Sequence, residues 1–384
     1  MDNKTVKKRG LVAIYKLCPA AHTVGLVSLA VILLHLALRH NRALMVYLSD
    51  NLVQPIHHAL ARLNSAFSFS VAELLIVCAV LFVLAELVWG VVLLLRRRMS
   101  GRRLYVGLVR IAALVLLVYA GFCALWGTYY YGDDFAQKSG LSNEPVSVEE
   151  LETVTAYFAS LANEYGAQVE RNEDGFYIAD RAEILRRSPE LFDDTVAGFP
   201  NLDGPRVSVK PIHFSRFLSY LDFTGFFFPF TGEANVNIDF PPSLFASTVA
   251  HELSHQRGVA KEQEANFTAV LTSLNNGDVD YCYSAAMLAY THLGNALYKA
   301  DYEAWQAVYE TLDEDILRDF ALNNAYWRQF ETPAQSVSHG VYEAFLQSYE
   351  QTLGRKSYGA CVDLLVNYYY ETAAEALNDA GNAK

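Results

Sequence analysis

Apolar and polar positions divide this chain into two unlike parts. From Pro19 to Leu38 the run PAAHTVGLVSLAVILLHLAL carries no charged residue. A second run, Val71 to Leu95, holds only Glu73 and Glu86, and a third, Tyr105 to Tyr129, only Arg110 near its start. Helices of about 20 to 25 such residues cross a hydrocarbon core about 30 Å thick, so the pattern predicts three spans at 19–38, 71–95 and 105–130. The first reads as an anchor rather than a cleaved signal peptide. Its apolar stretch is long and no small-x-small cleavage site follows. Between the first two spans, residues 39–70 repeat Leu48, Leu52, Ile56 and Leu60 at helical spacing. That predicts an amphipathic helix lying on the outer membrane surface.

From residue 131 to 384 the pattern becomes that of a folded, mainly helical domain. Ser147 followed by Glu150 is a capping box before an apolar stripe of Val154, Phe158 and Leu161. A hairpin-like stretch at Gly175–Ile178 precedes helices near Arg181–Arg187 and Pro189–Ala197. VSVKPIHF and ANVNIDF alternate in the manner of strands, and Pro241 and Pro242 close the second. From Ser243 the helical period returns, with breaks at Asn275–Asp278, Glu331–Gln335 and Gly354. The expected fold is a three-helix membrane region followed by a mainly α (α+β) domain, with a small sheet just before one key helix.

Charge gives this division an orientation. Residues 1–130 hold 14 Lys and Arg against 4 Asp and Glu, and the rest of the chain 16 against 38. The basic residues cluster before the first span, within 1–18, and in RRRMSGRR (Arg96–Arg103), within the second connector at 96–104. By the positive-inside rule both face the cytoplasm, and residues 131–384 lie outside the cell membrane. An acidic outer domain is unsuited to nucleic acid, whose phosphates call for a cationic surface. Glu86, near the middle of the second span, predicts a polar contact inside the helix bundle, because an isolated charge there is costly. Cys282 and Cys361 are the only cysteines in the outer domain, and a disulfide or two free thiols fits them equally.

Candidate chemistry concentrates in VAHELSHQRGVAKEQEANF, Val249–Phe267. On a helix, His251 and His255 stand one turn apart on one face, and Glu252 lies within reach of a water between them. Ala246, Val249, Ala250 and Leu253 form an apolar back, with Ser243 as expected N-cap and Gly258 as expected stop. Two histidines of this kind suit a zinc ion, and a third ligand is offered by Glu262 or Glu264 on the next helix. Glu262, Asn266 and Ala269 share a face, which favours Glu262 as ligand and Asn266 as hydrogen-bond partner of a ligand histidine; Glu264 is the alternative.

This combination, HExxH followed by ExEAN, resembles the gluzincins, zinc peptidases whose third ligand is a glutamate on a separate helix. Its wording is similar to that of the CAAX-prenyl-protease-like membrane peptidases and the IrrE/ImmA-like peptidases. The resemblance implies Glu262 as ligand and Asn266 as support for a histidine. More of the chain, through FFFPFTGEANVN, AHELSHQRG, EQEANF, VYEAFL and SYGACVDLL, is similar to a bacterial family known only as a domain of unknown function, with three N-terminal spans and an HExxH ectodomain. His255 and Glu262 are closer together here than in characterised gluzincins, so the intervening turn must be tight.

The chemistry expected is hydrolysis of a peptide bond in a cell-envelope protein or peptide, with one zinc ion activating water and Glu252 as general base. ANVNID would be the edge strand pairing with substrate, with Glu233 and Asn235 contacting it. Tyr283, His292, His339 and Tyr358 are candidate oxyanion stabilisers. The competing reading is a membrane-anchored sensor or binding protein whose zinc site is not catalytic.

Overall fold

The computed structural model describes residues 12–333, 335–338, 340 and 359–382. It is mostly helical, and its chain divides into two compact units: Met1–Val53 with Val71–Gly132, and Gln54–Ser70 with Asp133–Lys384. Numbering the helices used here in chain order, the first unit contains α1 (Pro19–Leu38), α3 (Val71–Leu95) and α4 (Gly101–Leu125). All three are long and apolar enough to cross a membrane. α1 and α3 coincide with the predicted spans. α4 starts four residues before the predicted third span and ends at Leu125, because Ser100 caps it: its hydroxyl accepts from the Arg103 amide. Arg102 and Arg103 therefore belong to the first turn of α4 and not to the connector. Glu86 has its polar contact, from Arg110 Nη1 at 3.0 Å.

The second unit begins with α2 (Gln54–Asn64), then continues with α5 (Phe135–Ser139), α6 (Val148–Gly166), α7 (Phe245–Gln256), α8 (Glu262–Asn276), α9 (Val279–Ala300), α10 (Glu314–Arg328) and α11 (Ala360–Asn382). The capping box at Ser147 and Glu150 starts α6 as predicted, with both reciprocal hydrogen bonds formed. Val154 and Phe158 are fully buried, packing toward α9 and α11. The helix expected near Pro189–Ala197 is divided into a 3₁₀ turn, Ser188–Glu190, and a one-turn α-helix, Asp193–Val196. Cys282 and Cys361 are buried free thiols, and the Cys282 thiol points at the Ser273 carbonyl.

α2 departs from the simple amphipathic picture. Ile56 is exposed and Leu60 half-buried, whereas His57, Ala61 and Asn64 are buried within the second unit. Polar contacts hold that face in place: Asn64 Nδ2 donates to the Thr231 carbonyl, and Lys210 Nζ to the Phe67 carbonyl. Gly232, at φ 67°, passes so near the His57 carbonyl that no side chain fits there.

Three short strands form one sheet in the order β1 (Lys210–Pro211), β3 (Glu233–Val236), β2 (Gly225–Phe228). β1 runs parallel to β3 and β2 antiparallel. β3 is thus the central strand, not the predicted edge, and all four of its residues are buried. The sheet packs on α7, and α8 and α9 pack on the same helix. Every residue of α7 except His251 is buried.

Candidate metal centre

α7 follows a 3₁₀ turn, Pro242–Leu244, so Ser243 lies inside that turn and is not the N-cap. The first turn is served from outside instead: Ser284 Oγ of α9 accepts from the Ser247 amide at 2.8 Å. The C-terminal end is as predicted. Gly258 adopts φ 85°, its amide donates to the His255 carbonyl, and the Val259 amide donates to the Ser254 carbonyl. This is a Schellman turn, which needs a residue free to enter the left-handed region. It reverses the chain within a few residues and supplies the tight turn the spacing demands.

The same turn orients a histidine. His255 Nδ1 donates to the Val259 carbonyl at 2.6 Å. His251 Nδ1 is bonded to Asn266 Oδ1 at 2.8 Å. With each Nδ1 engaged, both Nε2 atoms are aimed at one point. Glu262, in the first turn of α8, meets them there: its Oε2 is 3.1 Å from His251 Nε2 and 3.5 Å from His255 Nε2. One donor atom from each residue lies within 4.8 Å of the others, a group able to hold a metal ion. Two imidazoles and a carboxylate, with room for another ligand, are a donor set suited to zinc.

Electrostatics follow from this crowding. Burial by itself would raise the Glu262 carboxyl, but the charges and hydrogen bonds of His255 and His251 hold it well below the usual range. Burial would lower His255, yet Glu262 raises it to about 9. Burial pushes Glu252 up to about 7, opposed by His251 and His255. Glu252 is 4% exposed and its Oε2 has no hydrogen-bond partner among the described residues. An orphaned buried carboxylate oxygen costs folding free energy, so its retention beside two imidazoles calls for a chemical reason.

Glu264, the alternative ligand, is committed elsewhere. Its carboxylate accepts from the amides of Phe135 (3.0 Å) and Ala136 (3.4 Å), capping α5. Burial and then Asp134 push it up to about 7.

Other predicted site residues separate. Glu233 and Asn235 sit on the central strand; Asn235 bonds Ser70 Oγ and neighbouring carbonyls and is fully buried. Neither is placed to line an edge. Tyr283 is a core residue, donating to Asp319 Oδ2 at 2.6 Å and accepting from Arg171. His292, on α9, is close enough to His251 to be lowered by it, burial being the larger cause, to about 4. His339 and Tyr358 lie outside the described residues.

The sheet contributes a residue the motif did not suggest. Gly225 of β2 lies against Glu252: an added Cβ would sit 2.6 Å from Oε1. Beside His251 and Glu262 opens a cleft of about 290 Å³, lined also by Thr224, Thr248, Leu288, Asn323 and Trp327. The half-buried Asn323 presents an Oδ1 without a partner among the described residues. Thr248 was legible as the residue one turn before His251; Asn323 and Trp327, on α10, carried no local signal.

No curated protein and no solved structure matches the chain. A family model described as "Protein of unknown function (DUF3810)" matches residues 48–366, taking in both α7 and α8, and with most of its length so covered the chain belongs to that family.

Proposed function

We propose that this protein is a membrane-anchored zinc peptidase, cutting a peptide or protein of the cell envelope. The observation that carries this is the convergence of His251, His255 and Glu262 on one point, with Glu252 next to His251 in sequence and its Oε2 without a partner among the described residues. His251, His255 and Glu262 would hold the ion. Zinc bound there supplies Lewis acidity and makes water a nucleophile near neutral pH.

The chain's own groups do the rest. Glu252 accepts a proton from the attacking water and returns it to the departing amine nitrogen, a role suited to a buried carboxylate beside the two imidazoles. The substrate lies along β2, an outer strand of the sheet. Thr224 pairs with Asn237 through a backbone hydrogen bond, so the register turns the amide and carbonyl of Gly225 away from β3, toward an extended peptide. The cleft at Thr248, Leu288 and Trp327 takes one substrate side chain. α1, α3 and α4 anchor the unit, with the basic segments before Pro19 and around Arg96–Arg103 on the cytoplasmic side and the peptidase outside.

Purified full-length protein, with zinc measured by mass spectrometry and a peptide library as substrate, tests this against Glu252→Gln. Zinc with cleavage that Glu252→Gln abolishes supports it. Zinc without cleavage makes the protein an anchored sensor, and absence of zinc ends the metal reading.

A further inference from the structure

A large cavity of about 870 Å³ lies in the first unit between α3 and α4, far along the chain from the metal ligands. Its walls are apolar, with Leu87, Val91 and Leu94 on α3 and Leu104, Leu108 and Ile111 on α4. Two glycines, Gly90 and Gly107, are part of its lining. A Cβ added at Gly107 would meet nothing nearer than Glu86 Oε2 at 3.5 Å, and one at Gly90 nothing nearer than Met99 Cε at 3.8 Å. α3 buries only Ala72 and Leu93 in this structure, so its wall is left to be covered by something else.

The polar lining of this cavity is unbalanced. Arg102, Arg103 and Arg110 face one acid, Glu86. Arg110 donates to Glu86 Oε1 at 3.0 Å, but its side chain remains 51% exposed. Arg102 and Arg103 sit in the first turn of α4; Arg110 follows two turns later, roughly 12 Å along the helix at about 1.5 Å per residue. The cavity thus has basic residues at the start of α4, an apolar wall and an ion pair between Arg110 and Glu86 on its lining.

We propose that this cavity binds an anionic phospholipid, with its phosphate at Arg102 and Arg103 and an acyl chain along the leucine wall. A guanidinium fork pairs well with a phosphate diester, and basic recesses between membrane helices attract acidic headgroups. The apolar wall is what separates a lipid from free phosphate, since an inorganic ion leaves most of the volume uncovered. The inference rests on the membrane part of the proposed function and is independent of zinc.

Full-length protein is reconstituted in bilayer discs of mixed phosphatidylglycerol and phosphatidylcholine. Lipid retained after mild detergent extraction is then counted by native mass spectrometry. Phosphatidylglycerol is expected to be retained preferentially. A double variant, Arg102→Gln with Arg103→Gln, loses about tenfold or more of that retention, since each charge-assisted contact contributes of that order. Arg96→Gln with Arg97→Gln removes the same charge outside the cavity and leaves retention unchanged. Gly107→Leu places a bulky side chain on the cavity wall without changing charge and lowers retention. Equal retention of the two lipids, or equal loss in both arginine pairs, overturns the proposal. Displacement by inorganic phosphate at millimolar concentration shows a phosphate site and also overturns it. A chain that fails to enter the bilayer discs refutes the spans themselves, an outcome distinct from absence of lipid preference and from any result at the metal centre.

Discussion

The backbone of Gly225 runs against the carboxylate of Glu252, leaving no room for a β-carbon: one placed there would lie 2.6 Å from Oε1 and 2.8 Å from the Asn235 carbonyl oxygen. A sheet strand and the residue proposed as general base therefore fix each other's position. Gly225→Ala must displace either the carboxylate or the strand, and overpacking of this kind costs about 1–3 kcal/mol. The expected result is a lower melting temperature and loss of cleavage, with zinc still bound. In a Glu252→Ala background the same substitution costs less, the remainder coming from the Asn235 carbonyl. A double-mutant cycle on stability measures that coupling without reference to activity.

Asn266 holds His251 by its far nitrogen. Removing such a partner typically weakens metal binding 10- to 100-fold, because the ring loses its fixed tautomer and orientation. Asn266→Ala is expected to fall in that range by competition with a chelating dye. Asn266→Asp, which keeps an acceptor at the same place, retains most of the affinity. Equal affinities in all three proteins would separate Asn266 from the metal.

Glu262 and Glu264 are two residues apart and have opposite fates. Glu262→Gln removes the one carboxylate that, among the described residues, joins both imidazoles in a group able to hold a metal ion, and should abolish stoichiometric zinc. Glu264→Ala leaves two buried amides, those of Phe135 and Ala136, without their acceptor, at a cost of about 1–3 kcal/mol. It is expected to melt earlier and still bind zinc. The reverse pattern would exchange the two assignments.

This pair shows what the sequence could convey. Both glutamates were visible as candidate ligands, and the face shared by Glu262 and Asn266 favoured the one whose carboxylate lies beside both imidazoles, because neighbours on a helix are set by local periodicity. What Glu264 does instead depends on α5, well over a hundred residues earlier in the chain, and no periodicity reports that. β3 failed for the same reason. Alternation in ANVNID identifies a strand, but its neighbours are chosen by distant segments, and with β1 and β2 on either side it became central. α2 shows another limit. Its apolar stripe predicted which face meets apolar surroundings, whereas the face buried within the second unit carries His57 and Asn64, held by contacts to Thr231 and Phe227. The spans needed only length and composition, and α1 and α3 came out where the apolar runs placed them.

His57 carries the pH prediction. It is fully buried on α2 with the Phe227 ring edge-on at 5.1 Å, and burial, then His58, lowers its pKa from 6.5 to about 3. Between those two values the unfolded chain binds a proton that the folded chain refuses, so stability falls as pH drops through this window and levels off above it. From pH 7 to pH 5 the loss attributable to His57 is on the order of 2 kcal/mol. His58, lowered to about 4, acts in the same direction, so the measurement is a difference between two proteins. Thermal unfolding of the full-length chain and of His57→Leu is followed at pH 7 and pH 5. The wild-type chain is expected to lose more melting temperature on acidification than the variant. If both lose the same amount, His57 is protonated in the folded protein and its burial against Phe227 does not exclude the charge.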